Sequence, residues 1–100
     1  MRYRVKYTDR SSRDLLGAIR WYEGKRNGLG EEYLNCIEKS LERIQKSPDL
    51  YKVITPPIRR CIVRRFPFSI YFSIEDRSIV IHSIFDNRMD PEKLPRDLMP

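Results

Sequence analysis

Residues 68–74, Phe-Ser-Ile-Tyr-Phe-Ser-Ile, alternate strictly at period two. Phe68, Ile70, Phe72 and Ile74 fall on one side of an extended chain, and Ser69, Tyr71 and Ser73 on the other. Such a strand belongs in a sheet with an apolar layer against one face, leaving the other face for solvent or a partner. Glu75-Asp76-Arg77 then reads as a tight hairpin turn. Ser78-Ile79-Val80-Ile81-His82-Ser83-Ile84-Phe85 resumes as a strand that is apolar on both faces and is therefore expected near the centre of the sheet. The apolar layer has to come from upstream.

Two helices can supply it. Residues 2–7 alternate charge with Tyr, Val and Tyr as a half-buried strand, and Thr8-Asp9 follows with N-cap chemistry, Ser11-x-x-Asp14 offering a second cap. Leu15, Ala18, Ile19 and Tyr22 then form one apolar helical stripe. Gly17 interrupts that helix at a cost of about 1 kcal/mol relative to Ala, which suggests close approach of a second helix. Trp21 flanks the stripe, and both it and Tyr22 are expected to pack. Asn27-Gly28-Leu29-Gly30 is a turn. Glu31 and Glu32 open the second helix, Leu34, Ile37, Leu41 and Ile44 give its inward face, and Ser47-Pro48 ends it. So short a turn requires an antiparallel helix hairpin.

Residues 49–57 read as a connecting segment that Pro56-Pro57 keeps out of any ladder. Ile58 to Phe66 is the next strand, with Pro67 at its turn. Residues 86–100 are a polar tail with three prolines and at most one short helical turn. The expected fold is α+β in two layers: an N-terminal strand and a helix hairpin packed on an antiparallel sheet of about four strands. At 100 residues this is one domain, with residues 1–85 as the fold core.

Charge narrows the partner class. The chain carries 20 Lys+Arg against 14 Asp+Glu, a net +6. Most of those cations are Arg, whose planar fork suits phosphate and carboxylate. Between Asp49 and Glu75 no acid occurs, while Lys52, Arg59, Arg60, Arg64 and Arg65 do. On a strand Arg60 and Arg64 share one side and Arg59 and Arg65 the other, so one pair lies near the helices, within reach of acids such as Glu38 or Glu42, and one is open to a partner. Cys36 and Cys61 have no Cys-x-x-Cys spacing and His82 is the only imidazole, which points to no metal site and no cofactor. Both thiols read as buried small hydrophobes, and His82 as packed or partner-facing. No apolar run suits a membrane span and no signal-peptide pattern opens the chain, so a cytoplasmic location is expected.

Taken in order, Arg13-Asp14-Leu15, Ile19-Arg20-Trp21-Tyr22-Glu23, Gly28-Leu29-Gly30, Pro48, Arg59-Arg60, Arg64-Arg65-Phe66-Pro67-Phe68-Ser69-Ile70-Tyr71-Phe72 and Asp90-Pro91 resemble the RelE/ParE toxin superfamily over residues 3–91. The nearest branch is that of the ParE-like plasmid-stabilisation toxins. This resemblance implies the toxin of a type II toxin–antitoxin pair, held in a hetero-oligomer by a cognate antitoxin that wraps around it. It also implies one of two activities. ParE-like members inhibit DNA gyrase, whereas RelE-like members enter the ribosome and cleave mRNA.

Metal-free RNA cleavage needs proton-transfer groups and cations around the scissile phosphate. The RelE branch carries an arginine where this chain has Ser69, and a C-terminal Tyr where this chain has none after residue 71. Arg88 does match an arginine of that branch. Many ParE-like relatives end the last strand with Phe-His-x-Arg-Arg-Asp-Pro. Here Phe85-Asp86-Asn87-Arg88-Met89-Asp90-Pro91 leaves Arg88 as the surviving cation. The expectation is a toxin that is not itself an enzyme, with no catalytic residues, that uses Arg59, Arg60, Arg64, Arg65 and Arg88 to bind its antitoxin or gyrase. The alternative is a ribosome-dependent endoribonuclease.

Overall fold

The structure is a computed structural model and describes residues 2–100. It has five strands: β1 (Arg4–Tyr7), β2 (Lys52–Thr55), β3 (Ile58–Ile62), β4 (Phe68–Glu75) and β5 (Ser78–Asp86). Two helices, α1 (Asp9–Lys25) and α2 (Leu29–Lys46), form the expected hairpin. The strands lie in the order β1-β5-β4-β3-β2, with β1 parallel to β5 and every other pair antiparallel. Helices on one face of this mixed sheet make the α+β layering that the hydrophobic pattern requires.

Thr8 is the N-cap of α1, its side chain accepting from the Ser11 amide, so the later Ser11-x-x-Asp14 alternative is not used. Gly28 caps α2 at φ 88° with no side chain of its own to offer. Glu23 replaces it from α1: its carboxylate accepts from the amides of Gly28 and Gly30, both at 3.0 Å. A negative charge on the free amides of a helix start also meets the positive end of the helix dipole. The hairpin turn is thereby tied from both sides.

The core lies between the helices and the inner sheet face. Tyr22, Tyr33, Ile37 and Ile44 meet Ile70, Phe72, Ile79, Ile81 and Ile84. Tyr33 was not among the expected inward residues, yet it is fully buried, while Leu34 is only half-buried. Its ring stacks on Tyr22 at 5.2 Å and meets Phe66 and Phe68 edge-on, at 5.3 and 5.0 Å. The buried Tyr33 hydroxyl has no hydrogen-bond partner among the described residues. Burial pushes its pKa well above the ordinary tyrosine value.

Three expectations change. Residues 52–55 are not a bare connection: they pair with β3 as an edge strand, and Pro56-Pro57 forms the turn between the two. Proline is compatible with that place because the turn needs no ladder donor from it. Strand β3 stops at Ile62 instead of reaching Phe66, since Arg65 takes a left-handed φ of 77°. The tail folds as two 3-10 turns, Pro91–Lys93 and Arg96–Leu98, instead of one at most. Leu98 is fully buried on the outer sheet face against Ile58 and Tyr71, with Leu94, Ile54 and Phe85 around them. The tail thereby covers Tyr71, and the other outer side chains of β4 are buried too, Ser69, Tyr71 and Ser73 being 2%, 4% and 0% exposed.

Candidate partner-binding groove

Where β1 ends at Tyr7, β5 continues to Asp86 and its outer backbone groups lose their strand partner. Side chains from the start of α1 take over. Thr8 Oγ1 donates to the Ile81 carbonyl at 2.9 Å and Arg10 Nε to the His82 carbonyl at 2.8 Å. Asp14 Oδ2 accepts from the Ile84 amide at 3.0 Å and the Ser83 hydroxyl at 2.9 Å. Asp14 thus neither caps nor pairs with Arg13; it satisfies a strand edge. These bonds fix α1 against the end of β5.

The consequence is a groove of about 600 Å³ along α1, lined by Arg13, Gly17, Ala18 and Trp21 on one side and Phe85, Arg88 and Met89 on the other. Trp21 is not packed away as expected. Half of it is exposed, and its ring touches Tyr22 edge-on at 5.0 Å, with Lys25 and Arg88 lying 4.6 and 5.6 Å from its centre. The α1 stripe already spends its inward positions on Ala18, Ile19 and Tyr22, so Trp21 turns outward.

Arg88 is held in place by its own neighbourhood. Its Nε and Nη2 donate to the two carboxylate oxygens of Asp86 at 3.1 and 2.9 Å, and Nη2 reaches the Tyr22 hydroxyl at 3.4 Å. The same hydrogen bonds hold the Asp86 carboxyl below its ordinary pKa and raise that of Arg88. Half of the Arg88 side chain remains exposed. A guanidinium fixed this way meets an incoming anion with little further ordering to do.

The other four arginines do not form one surface with Arg88. Arg59 and Arg65 are the helix-side pair. Arg59 Nη1 donates to the carbonyls of Asp49 and Tyr51 at 3.0 and 2.8 Å, and Arg65 pairs with Glu32, not with Glu38 or Glu42. Glu32 is available because it also pairs with Arg26 at the hairpin turn. Arg60 lies on the outer face beside Ile54, Ile62 and Tyr71, and Arg64 is exposed in the loop after β3. The acid-free run is a stretch of sequence, not a single charged surface.

Cys36 and Cys61 form no disulfide, and Cys61 is buried while Cys36 is half-buried. Among the described residues no group of three or more His, Cys, Asp or Glu is placed to hold a metal ion. Among the described residues no helix is long and apolar enough to cross a membrane.

The family model for the ParE toxin of the type II toxin-antitoxin system parDE matches residues 5–91. This chain belongs to the ParE toxin family. Its fold is also that of a solved chain from the chromosomal ParDE TA system from P. aeruginosa, with a TM-score of 0.70 at 20% identity over 84% of this chain and 95% of that one. No curated protein matches the chain. A ParE toxin is one half of a toxin–antitoxin pair, so an antitoxin is the partner its family membership implies. All five arginines lie within the matched residues, as does the groove's lining except Lys93 and Pro95.

Proposed function

We propose that this ParE toxin acts by binding and inhibiting DNA gyrase, and that its cognate antitoxin neutralises it by covering the surface around Arg88. The observation that carries this reading is the exposed Arg88 guanidinium, locked to Asp86 above the half-exposed Trp21 ring. A rigid cation beside an aromatic face is a protein-docking element, since Arg and Trp supply most binding energy at interfaces. Arg60 and Arg64 serve as secondary contacts. Arg59 and Arg65, already engaged within the chain, mainly hold the β2–β3 edge and the α2 start in position.

Ribosome-dependent mRNA cleavage draws less support. Ser69, at the position of the RelE-branch arginine, is buried and donates to Asn87 at 3.0 Å. A buried, neutral hydroxyl cannot stabilise a charged phosphorane in place of that arginine, which leaves Arg60 as the cation lining the same pocket. The toxin then acts in the cytoplasm as the released member of a hetero-oligomer whose role is plasmid stabilisation.

The test is a gyrase supercoiling assay with purified toxin. Inhibited supercoiling and accumulated cleaved DNA are expected at micromolar toxin, with Arg88→Ala at least tenfold weaker. Normal supercoiling together with cleaved mRNA in a toeprint on translating ribosomes would transfer the protein to the nuclease reading.

A further inference from the structure

Gly17 sits in the middle of α1, exposed, and a Cβ built on it would meet no atom within 4 Å. The close helix approach expected of it belongs to Gly30 instead, where a Cβ would lie 2.8 Å from the Ile19 carbonyl oxygen. Gly24 is equally unobstructed, but it lies in the last turn of α1 and lines no groove. A mid-helix glycine weakens the helix relative to alanine, and nothing in this fold requires one at position 17. What Gly17 does provide is depth. With Ala18 it makes a floor of small residues between the walls formed by Trp21 and Met89.

The charge around that floor is one-sided. The two acids of the groove are already engaged, Asp14 with Ser83 and Ile84, and Asp86 with Arg88. Arg13 and Lys93, which also line the groove, have no ion-pair partner among the described residues. An apolar floor with unpaired cations on its rim fits a side chain that is apolar and flanked by carboxylates.

We propose that an acidic segment of the antitoxin seats one aromatic or long aliphatic side chain over Gly17 and against the Trp21 ring, with its flanking carboxylates on Arg13 and Lys93. This rests on the reading that the antitoxin covers Arg88, and it makes Gly17 the residue that decides which anchor fits. A segment in this groove lies across the exposed edge of the Arg88 guanidinium, so filling the groove and blocking the toxin are one event.

Trp21 is the only tryptophan in the chain and reports on the groove directly. Antitoxin recovered from the co-expressed complex is titrated into full-length toxin while Trp21 emission and acrylamide quenching are followed. For wild-type toxin a blue shift and protection from quenching are expected. Gly17→Ala should melt higher than wild type and bind several-fold more weakly. Gly17→Gln should retain the wild-type circular dichroism spectrum and bind at least tenfold more weakly, as should Arg13→Glu. Tight antitoxin binding with no change at Trp21, or with unchanged affinity in Gly17→Ala and Gly17→Gln, would overturn the groove assignment and leave neutralisation by an antitoxin standing. Absence of any binding to wild-type toxin would overturn both, and neither result depends on the gyrase assay.

Discussion

Gly30 lies so close to Ile19 that a Cβ on it would sit 2.8 Å from the Ile19 carbonyl oxygen. The same Cβ would meet the Glu23 carboxylate at 3.0 Å, so the contact that joins the helices and the one that caps α2 share a single point. Gly30→Ala should therefore destabilise the fold. The gain in helix propensity is at most about 1 kcal/mol, whereas forcing a backbone carbonyl and a capping carboxylate aside costs roughly 1–3 kcal/mol. Urea unfolding should give a lower midpoint for Gly30→Ala and a higher one for Gly17→Ala, the same substitution with opposite sign on the two helices of the hairpin.

Leu98 is fully buried although it is third from the end of the chain. It plugs the outer sheet face between Ile58 and Tyr71, and the bidentate pair of Arg10 with Asp97, at 3.0 and 3.1 Å, holds its turn in place. The pair itself is exposed and contributes little. Leu98→Ala should cost about 2–5 kcal/mol by the loss of buried side chain and the cavity left behind. Asp97→Asn should cost well under about 1 kcal/mol. Equilibrium unfolding of the two variants separates burial from charge as the anchor of the tail.

The legible parts of this fold were those written in periodicity. The inward face of β4, the α1 stripe, the α2 positions Ile37, Leu41 and Ile44 and the Thr8 cap each follow from local spacing, and each stands in the structure. What periodicity cannot carry is which of two faces a neighbour will cover. Tyr71 looks solvent-facing, and is buried because a tail without a repeating pattern folds back with Leu94 and Leu98, while Ser69 and Ser73 are buried among their own partners Asn87, Glu75 and His82. Strand β2 escaped notice because Lys52–Thr55 is four residues long and followed by two prolines, a pattern equally suited to a loop. At the groove, Arg88 is singled out by the family resemblance, as a cation just past the last strand. The groove beside it was not: the stripe puts Tyr22 inward and Trp21 on its flank, but helical spacing does not say whether a neighbour covers a flanking ring. Gly17 is the signal that the sequence does hold: a helix-weakening residue with no turn to explain it.

Asp14 carries a backbone role that its sequence position conceals. Its carboxylate is the acceptor for the Ile84 amide at the point where β5 has outrun β1. Asp14→Ala should leave that amide without a partner at a partly buried edge, costing about 1–3 kcal/mol. Asp14→Asn keeps a side-chain oxygen for the amide and should cost less. Amide hydrogen exchange at Ile84 reads this directly: fast in Asp14→Ala, slowed in wild type and intermediate in Asp14→Asn.

His82 gives the stability a pH dependence near neutrality. It occupies the extra position in β5 where the register against β4 shifts, Tyr71 opposing Ser83 and Phe72 opposing Ile81. Ser73 Oγ donates to Glu75 at 2.8 Å, so the ring Nε2 at 2.7 Å must be the donor to Ser73. Burial holds the imidazole below its ordinary pKa, and Arg10 adds to that effect, while Glu75 and Asp97 oppose it. The unfolded chain therefore takes up a proton on this ring at a pH where the folded chain does not. Stability is greatest while the ring is neutral in both states, and falls as the pH drops through the ordinary imidazole value of about 6.5, levelling off below the folded value. The Asp86 and Asp97 carboxylates are held low by Arg88 and Arg10, and their contribution is lost only in the acid range below about pH 4. Between about pH 7.5 and about pH 5.5 the histidine is the only side chain here whose ordinary pKa lies in range. Urea midpoints should be lower at the acid end for wild type and equal at both for His82→Gln, which keeps a neutral donor for Ser73. A slope that survives in His82→Gln would assign the pH dependence elsewhere.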